Sequence, residues 1–238
     1  MKLSLLILAG AGIIALGFVS KNKMRNKIYE PANVSGSYAP VVVLELFTSQ
    51  GCSSCPPADN LLPQLARLDS NIIPLSFHVD YWNRLGWTDP FSSSEYSERQ
   101  REYAKQLNLE SIYTPQLIIN GGYELVGSSR SAAEATIKRV LKEKAAISLA
   151  ISDVKLSKNK LNFSVTVTGE TKGMNLLVAL VQKNAVMNVK AGENSGARLR
   201  HTNVVRSFGM EPAAAKKEME LEFPENTEPG NWQLIVYA

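Results

Sequence analysis

Two cysteines are the first residues to read for chemistry, because the chain has no others. Cys52-Ser-Ser-Cys55 is a C-x-x-C pair, spaced so that a disulfide can close within one helical turn. It follows an apolar run, Val41–Phe47, that reads as a buried strand, and a short turn, Thr48–Gly51. It opens a segment, Pro56–Leu68, whose apolar residues Ala58, Leu61, Leu62, Leu65 and Leu68 fall at helical spacing. A helix N-terminus offers unpaired N–H groups and partial positive charge. Both favour a thiolate at Cys52, whose pKa is expected to fall from roughly 8.5. The expected chemistry is two-electron exchange: Cys52, the nearer to the helix start and the more exposed, is the nucleophile, and Cys55 resolves the mixed disulfide. An inert disulfide and a two-thiolate site for a soft ion such as Cu(I) are the alternatives. A structural zinc site needs four ligands, and the spacing of Cys52, Cys55, His78 and His201 fits no zinc pattern. No metal or cofactor is assigned.

Other side chains could join the pair. Glu45 interrupts the apolar strand seven residues before Cys52. His78 and Asp80 end a second apolar run, Asn71–Val79, and share one face of it by alternation. In a parallel sheet their end of the strand meets the rim that carries Cys52, where a histidinium would stabilise a thiolate. Tyr81, Trp82, Trp87 and Phe91 crowd the next loop, as a cover, an apolar binding wall or a brace. Arg198, Arg200 and Arg206, around His201, suit either a solvated strand face or an anion site.

The elements that must hold these residues follow in order. After the C-x-x-C helix and the second strand, Ser92–Leu107 reads as a polar helix. Thr114-Pro115 leads into a strand, Leu117–Ile119, which an Asn-Gly turn joins to Tyr123–Val126. Ser131–Ala145 is an amphipathic helix. The first two strands flank a helix and should be parallel with a right-handed crossover. The expected fold class is α/β: a mixed sheet flanked by helices over residues 41–145. From Ala146 the texture turns to period-2 strands, Ile147–Val154, Lys160–Thr168, Asn175–Gln182 and Trp232–Tyr237. Residues 146–238 are expected to form a smaller β-rich, sandwich-like domain.

Composition sets the outer bounds. The 238 residues are 45% hydrophobic and 20% charged, an ordinary globular balance. The net charge of +4 is concentrated at Lys21, Lys23, Arg25 and Lys27. No basic face with interleaved aromatics appears, which argues against a nucleic-acid partner. Residues 3–19 are apolar and uncharged, and residues 1–20 are expected to be a signal peptide or a membrane anchor. Residues 21–40 read as a polar tether. The chain is therefore expected to be exported, periplasmic or extracellular, with possible association to the inner membrane through residues 3–19.

In its first half the chain resembles the thioredoxin superfamily: strand, C-x-x-C at a helix start, strand, helix, Thr-Pro before a strand, hairpin, helix. The resemblance implies that Pro115, preceded by Thr114, is cis and packs against the redox pair. It also implies that Glu45 lies beneath the disulfide and shuttles a proton, as a buried carboxylate can. More narrowly, ELFTSQGCSSCPPAD, HVDYWNRLGWTDPF, YTPQLIINGG and GENSGARLRHTNVVR resemble the DUF1223 family of exported bacterial thioredoxin-like proteins. The function implied is a thiol–disulfide oxidoreductase acting on a redox partner protein or thiol substrate. The other reading is a non-enzymatic metal-handling or protein-binding module on the same scaffold.

Overall fold

The computed structural model describes residues 38–224 and 229–238. The apolar segment at 3–19, and the tether up to residue 37, lie outside them. Among the described residues no helix is long and apolar enough to cross a membrane.

The first half follows the expected order. β1 (Val42–Thr48) is buried along its whole length and leads through the cysteine turn into α1 (Pro56–Leu65) and β2 (Ile72–His78). α1 stops at Leu65 rather than Leu68, because past Leu65 its apolar stripe has nothing to cover: Leu68 is 51% exposed. α2 (Ser94–Leu107) starts at Ser93, whose hydroxyl accepts from the Glu95 N–H, and ends at Asn108 in the left-handed region. β3 (Gln116–Ile119) and β4 (Tyr123–Val126) form the expected hairpin. α3 (Arg130–Val140) ends before the expected Ala145, since the chain must turn to bring Ala145 against Tyr38 and bury Ile147. β1 and β2 run parallel from Val42↔Ile72 to Thr48↔His78.

The second half departs from expectation. β5 (Ser148–Ser157), β6 (Lys160–Thr168) and β9 (Lys216–Glu222) form a three-stranded antiparallel sheet. β7 (Asn175–Asn188), β8 (Arg198–Pro212) and β10 (Trp232–Tyr237) instead extend the first sheet, in the order β10-β7-β8-β2-β1-β3-β4. Among the described residues the second-half strands are thus divided between two sheets. The seven-stranded sheet crosses the expected boundary at 145/146 through a parallel pairing of β2 with β8, at Ser76↔Val204. The physical reason is the edge of β2. Its residues are buried on both faces, so its outer backbone groups need a partner strand.

Two cores result. Val42, Leu44 and Leu46 of β1 pack with α1 and α3 on one face. Val41, Val43 and Phe47 face the other way, in a cluster that includes α2, β10 and the three-stranded sheet. The face a residue occupies decides what it can reach.

Candidate functional site

Cys52 and Cys55 form a disulfide with Cα atoms 5.4 Å apart. Cys55 is the N-cap of α1 in helical conformation, followed by Pro56 and Pro57, which lack the N–H that the first turn would leave unpaired. Both cysteines are fully buried, so the expected exposure of Cys52 is corrected. Only Ser53 and Ser54 face solvent there. The cover comes from three directions. The β7–β8 hairpin tip lies over the turn: Asn194 Nδ2 donates to the carbonyls of Gln50 and Cys52 (both 2.9 Å), and Glu193 Oε2 accepts from the Ser53 N–H (2.9 Å). Hydrogen bonding from the Ser53 side chain and from its N–H holds the Glu193 carboxyl below its usual range. Thr114 O lies 3.8 Å from Cys52 Sγ and accepts from Ser54 Oγ at 3.4 Å. The Thr114–Pro115 peptide is cis. The aromatic loop adds Trp82, whose Nε1 donates to Thr114 Oγ1 (2.8 Å). A Cβ on Gly51 would stand 3.1 Å from that of Trp82, so this close approach suits glycine.

Glu45 is buried, but not beneath the pair. It lies with Val43 and Phe47 on the face away from α1, and Arg99 of α2 grips it through two hydrogen bonds, Nε–Oε2 2.7 Å and Nη2–Oε1 2.8 Å. Tyr103 donates to the same carboxylate at 2.8 Å. Burial opposes the Arg99 charge, yet Glu45 with Tyr103 and Tyr237 outweighs it and pushes the guanidinium well above its usual pKa. The expected role rested on an uncommitted carboxylate; the sheet puts this one on the opposite face, already neutralised.

His78 ends β2 opposite Thr48, the last residue of β1, and lies on the α1 face. Its Nδ1 lies 2.7 Å from Asp89 Oδ2. Asp89 also accepts from the Gln50 and Phe91 N–H groups (both 2.9 Å). Burial raises the Asp89 pKa, but the His78 charge and these hydrogen bonds outweigh it and hold the carboxyl below its usual range. The His78 ring meets that of His201 edge to face, centroids 4.6 Å apart. Asp80 does not join them; it binds Ser97 of α2. Trp87 reaches the cysteine turn through Gln50, donating from Nε1 to Oε1 at 3.0 Å. Arg198 and Arg200 are exposed on β8 while His201 points inward; Arg206 donates to Gln182 (3.0 Å) and lies over Phe91.

Gln50, Asp59, Asp89, Glu193 and Asn194 were not singled out by the sequence. Asp59 had the best chance. As an acid in the first turn of a helix it reads as a solvated partner of the dipole, yet here it is 5% exposed. Among the described residues, no group of three or more His, Cys, Asp or Glu side chains is arranged to hold a metal ion.

A crystal structure of an Agrobacterium tumefaciens protein matches with TM-score 0.59 and 25% identity, over 82% of this chain and 93% of that one. HBP35 of Porphyromonas gingivalis matches with TM-score 0.59 and 15% identity, over 84% of this chain and 69% of that one, a likeness of fold alone. No curated protein matches the chain. The family model described as a protein of unknown function, DUF1223, matches residues 43–238, the hairpin tip and the cysteine turn both included, and the chain belongs to that family.

Proposed function

We propose that the chain is an exported, thioredoxin-like thiol–disulfide oxidoreductase working through Cys52 and Cys55 on a protein or small thiol partner. The observation that carries this reading is the disulfide at the N-terminus of α1, with the Thr114 carbonyl 3.8 Å from Cys52 Sγ. The dipole of that helix favours negative charge on a sulfur released there. His78, the last residue of β2, is a protonatable group on the α1 face of the same sheet. Export is supported by the apolar run at residues 3–19 and by the disulfide, a bond that persists in oxidising compartments. In this reading Cys52 attacks and Cys55 resolves, while Thr114 and Pro115 line the approach to the sulfur.

One observation favours a second reading. Both sulfurs are covered, and a covered disulfide suits a staple in a protein-binding module. The reduction potential separates the two. Equilibration of the full chain with glutathione buffers, read by thiol labelling, should give a value between about −270 and −120 mV for a catalyst. A value below about −300 mV marks a structural bond and overturns the oxidoreductase reading.

A further inference from the structure

Arg206 sits where β8 breaks its own alternation. Side chains of a regular strand change face at every residue. Val205 and Phe208, three positions apart, nevertheless both pack in the larger core. A β-bulge absorbs the odd residue. Leu180 of β7 pairs with Ser207, and the next residue, Val181, pairs with Val205, so Arg206 has no partner in the ladder. Bulges re-aim a side chain and are over-represented beside active sites. Here the extra residue is turned to the side where Val204 packs with Phe91.

The Arg206 charge is left without a counter-charge in contact. Its guanidinium lies over the Phe91 ring, 5.0 Å from the centroid, and Nη1 donates to Gln182 Oε1 at 3.0 Å. Gln182 is neutral, and its own Nε2 donates to the Asn184 carbonyl at 3.5 Å. Among the described residues the arginines paired with carboxylates are Arg99, Arg101 and Arg130. Asp89 attracts Arg206 from a distance, but its oxygens are already taken by His78 and by the Gln50 and Phe91 N–H groups. Burial lowers the Arg206 pKa, and attraction from Tyr96 and Asp89 offsets only part of that. A half-buried cation with most of its N–H donors unspent is costly to the fold on its own account.

Arg206 also lines a cavity of about 390 Å³, together with Gln182, Phe91, Val186, Met187 and Trp232. Val186, 43% exposed, marks its open side. Small-molecule sites run from about 300 to 1,000 Å³ and combine apolar and aromatic walls with a few polar groups, as this one does. We propose that the cavity binds a carboxylate carried on a short apolar or aromatic body. The planar guanidinium fork matches a carboxylate, while Phe91, Met187 and Trp232 offer ring faces and a thioether to the body. A free acid and the C-terminal residue of a peptide share this chemistry. The site uses neither cysteine, so it stands apart from the oxidoreductase reading.

Isothermal titration of the oxidised full chain tests this with four probes: phenylacetate, the neutral phenylacetamide, N-acetylalanylphenylalanine and inorganic phosphate. Phenylacetate should bind, and the amide should bind about 10- to 150-fold more weakly, the span expected for hydrogen bonds to a charged group. Phosphate, which has no body for the walls, should bind more weakly than phenylacetate. Arg206→Gln should weaken phenylacetate by the same factor and leave the amide unchanged, a difference that a general loosening of the fold would not produce. Tighter binding of the dipeptide than of phenylacetate identifies a chain end as the ligand; equal or weaker binding identifies a free acid. Equal affinity for acid and amide, phosphate binding as tight as the acid, or no binding of either carboxylate at millimolar concentration overturns the proposal. Should Arg206→Gln not fold, Val186→Glu decides. A carboxylate at the open side should weaken the acid and spare the amide, and unchanged binding of the acid overturns the proposal. None of these outcomes touches the reading of the Cys52–Cys55 pair.

Discussion

Glu45 and Asp59 show what one residue's surroundings do to its chemistry. Both are carboxylates in apolar stretches, both are nearly inaccessible, and they lie on opposite sides of one sheet. Glu45 has Arg99 and Tyr103; Asp59 has a histidine at ion-pair distance and no hydrogen bond. The sequence pointed to Glu45 because alternation reveals that a residue is buried, not who meets it. Arg99 lies 54 positions away on a helix that reads as polar. The pair is structural, and Arg99→Met, which strands the Glu45 charge, should cost about 3–5 kcal/mol in urea unfolding. Glu45→Leu in the same chain should recover part of that. Asp89 gives a pH signature. Its folded pKa is depressed, so its stabilising contribution is present above the ordinary carboxylate range, about pH 4, and is lost as pH falls through the depressed value. Wild type should lose its advantage over Asp89→Asn in that acid window and keep it at neutral pH, as unfolding midpoints across pH will show.

Among the elements, local signals worked where periodicity and caps agree. β1, α1, α2 and the β3–β4 hairpin lie close to where alternation, the Ser93 cap and the Asn-Gly turn place them. β9, KKEMELE, escaped because only Met219 and Leu221 point inward, between charges. The tip between β7 and β8 escaped for a different reason. Glu193 and Asn194 look like ordinary loop residues, and their partners at Gln50, Cys52 and Ser53 lie more than a hundred positions upstream. That tip is hydrogen-bonded to the backbone of the turn that carries Cys52. Asn194→Ala removes two hydrogen bonds, about 1–3 kcal/mol together, and should speed reduction of the disulfide by dithiothreitol roughly 5- to 150-fold if opening limits the rate. The tip also brings together two halves that composition alone separates.

At the scale of the whole molecule, β8 is the seam. It pairs with β2 on one side and β7 on the other, and carries His201 to Asp59. Strand-like alternation announced the existence of a β-rich second half but not its attachment, since period 2 says which face is buried and nothing of which neighbour lies alongside. A chain ending at residue 145 would leave β2 as an uncovered edge and His78 without the His201 ring. Such a fragment should self-associate, and size-exclusion chromatography should show it away from the monomer position. The two histidines carry a last consequence. The chain has no others, and both rings meet edge to face in this one buried cluster. Every imidazole resonance in a proton NMR spectrum of the untagged protein therefore originates within the same small volume behind Cys52. Those resonances are the place to look, without isotope labelling, for an effect of reducing the Cys52–Cys55 bond.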